Sequence, residues 1–137
     1  MLQKVLASLG QGGAQVDLIL HEEHFTVGSQ VTGEIFVKGG VVEQSINYIE
    51  VRLILEKYNH ENEYTQMIEQ IPVQTSFEIQ SNEEKSFPFQ FHLPDHLLVS
   101  GDTVCYYFET YLDIAAGKDY VDRDLILIVS PAENSGK

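Results

Sequence analysis

The residue types able to do chemistry gather most densely near the end of the chain. The run KDYVDRD carries Asp119, Asp122 and Asp124. Alternation along a strand puts Asp122 and Asp124 on one face, opposite Val121 and Arg123. Two carboxylates on one face suit calcium, with loop oxygens completing the shell, or a paired acid and base. The chain has 21 acidic residues against 8 basic ones, so such pairs are expected by chance. The preferred reading is a charged outer strand face; calcium binding is the alternative.

The other candidates are more scattered. The five histidines are His21, His24, His60, His92 and His96. His21 and His24 lie in HEEH at a strand end, and His92 and His96 flank Pro94; neither has a metal-protease spacing. They read as surface histidines. Glu22 and Glu23 are further oxygen donors. No serine lies in a G-x-S-x-G elbow. Cys105 sits in a strand-like run with no histidine near it in sequence, and reads as structural. GQGG follows a helix signal, the wrong context for a dinucleotide fingerprint. No catalytic residue, cofactor site or metal site is assigned. An enzyme would need His92 or His96 to meet a carboxylate and Cys105 in space.

These residues are carried by a strand-rich chain. Val16, Leu18 and Leu20 alternate, and so do Val31, Gly33, Ile35 and Val37. Ile49, Val51, Leu53 and Leu55 follow, then Phe87, Phe89, Phe91 and Leu93. Val104, Tyr106, Phe108, Thr110, Leu112 and Ile114 form another such series. In the last strand, Val121, Arg123, Leu125, Leu127 and Val129 alternate beside Ile126 and Ile128. Pro72 and Pro88 mark sheet edges or ladder breaks. Tyr106, Tyr107 and Tyr111 cluster, which reads as packing. The expected fold is an all-β sandwich of seven or so strands, spanning residues 1–131 as one domain.

One helix is expected, over residues 2–9. Leu2, Val5, Leu6 and Leu9 share its apolar face, and Gly10, Gly12 and Gly13 stop it. A helix that short must dock, so this face is the candidate for docking or self-association as a homodimer. Residues 132–137 are expected to be a disordered tail.

The net charge of -13 opposes binding to nucleic acid or anionic membrane. No apolar run is long enough for a transmembrane segment. The cytoplasm is the default location.

Four stretches carry a resemblance: KVLASLGQGGAQVD, FTVGSQVTGEIFVKGGVVEQSI, FPFQFHLP and VDRDLILI. Together they make the chain similar to the bacterial sporulation-control protein family, whose N-terminal half is arrestin-like. The resemblance covers nearly all of residues 1–131. It implies an arrestin-like (immunoglobulin-like) β-sandwich that acts without catalysis, through protein partners, in sporulation or stress regulation. Members of that family usually run to roughly twice this length. The expected function is therefore a protein-binding or scaffold module; the alternative is a calcium or small-molecule binding domain.

Overall fold

The computed structural model describes residues 12–131. The helix expected over residues 2–9, with Leu2, Val5, Leu6 and Leu9, lies outside the described residues, as does the 132–137 tail.

The alternating segments become eight strands: β1 (Gln15–Leu20), β2 (His24–Thr26), β3 (Gln30–Lys38), β4 (Gln44–Tyr58), β5 (Glu63–Ile79), β6 (Glu84–His92), β7 (Val104–Ile114) and β8 (Tyr120–Val129). They form two sheets. A three-stranded sheet has the order β1-β3-β6, and a five-stranded sheet the order β2-β8-β7-β4-β5. All pairings are antiparallel except β2 with β8.

The sheets pack through the residues that alternation selects. Val16, Leu18, Val31, Ile35, Val37, Phe89 and Phe91 come from the first sheet. Ile49, Val51, Leu53, Tyr106, Phe108 and Leu112 meet them from the second. Phe108 stands edge-on to both Phe89 and Phe91, at centroid distances of 5.5 and 5.1 Å. Offset or edge-on packing is the geometry aromatic quadrupoles prefer. Gly33 is needed where β3 pairs with the end of β1, opposite Leu20. A Cβ there would run into the backbone carbonyl of Ile19.

The turns follow side-chain chemistry. Asn59 closes the β4–β5 hairpin by accepting hydrogen bonds from the backbone N–H groups of Glu61 and Asn62. Pro72 and Pro88 do lie on edge strands, β5 and β6. Pro72 also sits at an irregularity. The β4–β5 register shifts between Ile49, opposite Gln74, and Glu50, opposite Pro72. Val73 is the extra residue of that bulge.

One strand faces the opposite way from the sequence expectation. On β8, Ile126 and Ile128 are buried, while Val121, Leu125 and Leu127 are exposed. Asp122 and Asp124 share the inward face with the two isoleucines. The carboxylates therefore point between the sheets, and the reading of a charged outer face is corrected. From Leu125 to Val129 every residue is apolar, so alternation there does not choose a face. The β7 register chooses it, setting Ile126 opposite Tyr106 and Asp124 opposite Phe108.

Candidate functional site

The inward turn of β8 builds a polar pocket at the seam of the sandwich. β1 is an edge strand of the three-stranded sheet, and its open side faces β8. An unpaired edge leaves backbone donors to satisfy. The Asp122 carboxylate meets one of them, accepting the backbone N–H of Leu18 at 2.9 Å. The neighbouring residue on β1 is Asp17. One oxygen each from Asp17, Asp122 and Asp124 lies within 4.8 Å of the others. Thr110 stands directly opposite Asp122 on β7, and so shares its inward face.

Asp119 is not part of this group. Its carboxylate accepts the backbone N–H of Ile114 at 3.0 Å and caps the β7–β8 turn. Asp17 takes its place, from the other sheet and the far end of the sequence. The sequence signal for Asp122 and Asp124 was their spacing. Asp17 had no signal beyond its outward position on β1.

Among the described residues, no ion pair reaches the three carboxylates: the pairs are Arg52 with Glu50, Lys85 with Glu83, and Arg123 with Glu109. Burial pushes the Asp124 carboxyl up to about 7, helped by its hydrogen bond to Asp122 and by the charges of Asp122 and Asp17. Asp17 is also raised, by burial first and then by Asp122. Asp124 Oδ2 is buried without a hydrogen-bond partner, and so is the Thr110 hydroxyl. Thr110 is 0% exposed. The pocket opens into a cleft of about 420 Å³ whose lining includes Asp17, Phe36, Lys38, Glu84, Tyr120 and Asp122. Such a site can retain a proton at neutral pH or accept a cation from solvent.

The outer face of the same five-stranded sheet is arranged differently. Glu56 accepts the hydroxyls of Tyr58 at 2.6 Å and Tyr107 at 2.8 Å. Those bonds hold its carboxyl below the usual range. Arg52 lies 3.9 Å from the Tyr111 ring centroid, and Arg123 4.4 Å from that of Tyr107. Tyr107 and Tyr111 are thus bound up with arginines, whereas Tyr106 is in the core and donates its hydroxyl to the Leu98 carbonyl at 2.8 Å.

The remaining candidates stand apart from the pocket. His21 Nδ1 bonds the Thr32 hydroxyl at 2.9 Å, on the exposed side of the three-stranded sheet. His24, His92 and His96 are exposed, as are His60 and the pair Glu22 and Glu23. Cys105 is half-buried, and burial followed by the charge of Glu56 pushes its thiol up, which disfavours the nucleophilic thiolate. It lines a second cleft, of about 370 Å³, beside Leu125 and Leu127.

No helix among the described residues is long and apolar enough to cross a membrane. A family model described as SpoOM protein matches residues 2–135. The sporulation-control protein spo0M of Bacillus subtilis (strain 168) is 37% identical over 130 residues, covering 92% of this chain and 50% of that protein. The crystal structure of Spo0M from Bacillus subtilis superposes with a TM-score of 0.82 at 36% identity, over 87% of this chain and 50% of that one. The chain spans about half the length of the relatives it matches.

Proposed function

Because the chain belongs to the Spo0M family of sporulation-control proteins, we propose that it is a non-enzymatic regulatory module that acts by binding protein partners. We read its sandwich as one arrestin-like domain, working in the cytoplasm in sporulation or stress control. The family match across residues 2–135 carries this reading. The architecture supplies a physical route. β5 is an edge strand of 17 residues, with Tyr64 51% and Met67 48% exposed. A long open edge accepts an added strand through main-chain hydrogen bonds, and its side chains select the partner.

The experiment is a capture from sporulating Bacillus subtilis lysate. The bait is the wild-type chain, compared with a Tyr64→Lys/Met67→Lys variant. We expect defined proteins retained by the wild type and lost from the variant. Identical capture by both baits would remove β5 as the contact, and no capture by either would remove the binding module. The Leu2, Val5, Leu6 and Leu9 face is proposed separately as a self-association surface. Light scattering on wild type and Leu6→Asp tests it: a dimer turning monomeric supports it, and equal masses contradict it.

A further inference from the structure

We propose that Asp17, Asp122 and Asp124 form a binding site for one calcium-sized divalent cation, placed at the seam between the two sheets and entered from the cleft beside Tyr120. Three observations carry it. The first is spacing: one oxygen from each aspartate lies within 4.8 Å of the others. Calcium–oxygen bonds are ~2.3–2.6 Å, so two oxygens on one calcium stand up to ~5 Å apart. Magnesium bonds of ~2.0–2.1 Å hold their oxygens within ~4.2 Å and demand a stricter octahedron. Carboxylates contributed by two separate sheets suit calcium, which tolerates an irregular shell, better than magnesium with its strict octahedron.

The second observation is independent of the acids. Thr110 is 0% exposed, and its hydroxyl has no hydrogen-bond partner. It faces inward directly opposite Asp122 and diagonal to Asp124. A buried hydroxyl without a partner has given up its hydrogen bonds to water and gained none in return. A cation with its water shell gives that oxygen something to bind, and gives the same to the orphaned Asp124 Oδ2.

The third is charge and access. None of the three ion pairs among the described residues reaches the cluster. Asp17 is exposed and lines the cleft with Asp122, so an ion can enter and keep waters on its outer side. Three carboxylates against two positive charges leave a single net negative charge. Asp122 would serve twice, holding the edge of β1 through the Leu18 N–H and holding the ion. Binding would therefore tie the two sheets together at a point where the β1 edge is otherwise open.

The test is calorimetric titration of the full chain with calcium chloride after EDTA treatment and desalting. Terbium luminescence, excited through the tyrosines, is read in parallel. We expect one saturable calcium site with weaker magnesium binding. Asp17→Asn and Asp124→Asn should each weaken it by about tenfold or more. Asp119→Asn should leave it unchanged, because Asp119 only caps a turn. Asp17 is exposed, so its variant keeps the fold and the test stands even if Asp124→Asn were unstable. No saturable binding at millimolar calcium overturns the proposal. So does equal loss in Asp119→Asn, or magnesium binding as tight as calcium.

Discussion

The two faces of the five-stranded sheet solve the same electrostatic problem in opposite ways. Outside, each clustered carboxylate has a partner: Glu50 has Arg52, Glu109 has Arg123, and Glu56 has two tyrosine hydroxyls. At the seam with β1, three aspartates lie together, and among the described residues no arginine or lysine pairs with them. The chain has only 8 basic residues for 21 acidic ones, and both of its arginines, Arg52 and Arg123, are committed to the outer face. Exposed pairs are worth little in water. A cluster partly out of water pays a larger cost for each unmatched charge. The outer face is thus complete in itself, and the seam is complete only with a proton or a cation.

The largest effect asks whether either cluster, rather than the apolar core between them, holds the sheets. Phe108 faces Asp124 across the ladder and packs edge-on to two phenylalanines of the other sheet. Phe108→Ala should cost about 3–5 kcal/mol in urea unfolding. A loss under about 1 kcal/mol would move the weight of the fold onto the polar clusters.

Next come two charge removals of opposite sign. Arg52→Ala removes an ion pair and a ring contact from the outer face, and should destabilise by about 1–2 kcal/mol. Asp124→Asn removes a charge from the seam. In metal-free buffer at neutral pH it should stabilise by about 1 kcal/mol, after discounting for solvent screening. Equal signs in the two denaturant curves would end the contrast between the faces.

The pH dependence separates the same two regions. The Asp124 carboxyl is raised in the folded state, so the folded protein holds its proton across the window from the ordinary carboxylate range to about 7. That contribution is fully present below the unfolded value and is lost as pH rises through the window. Glu56 is lowered, so its contribution is present above the ordinary range and is lost on acidification below it. Thermal melts in EDTA should show the wild type losing stability between mildly acidic and neutral pH. Asp124→Asn should flatten that limb, and an unchanged limb would show that Asp124 does not cause it. The smallest effect is Thr110→Val, within about 0.5 kcal/mol of wild type without metal, since it replaces an unpaired hydroxyl with a methyl of similar shape. A clear destabilisation would mean that the hydroxyl has a partner.

Most of the sandwich is legible in the sequence, because period-2 alternation is strong wherever only one face of a strand is apolar. Val31 to Val37 and Phe87 to Leu93 are such cases. β8 is not, because Leu125 to Val129 are apolar on both faces, so the register set by β7 decides its orientation. That one inversion turned Asp122 and Asp124 from surface acids into the inner wall of a site. Their pairing on one face was readable. Asp17, on β1 of the other sheet, was not, because no local pattern reports which strand edges meet across a seam. Thr110 reads in sequence as an ordinary core position, and its unpaired hydroxyl becomes visible only in three dimensions.

The most direct measurement is a carboxyl-carbon NMR titration of Asp124 in the full chain, with and without calcium. The account predicts titration near about 7 in metal-free protein, and an Asp124 that stays ionised to much lower pH once calcium is bound. A metal-free Asp124 that titrates in the ordinary aspartate range, with calcium leaving its signal unmoved, would contradict it.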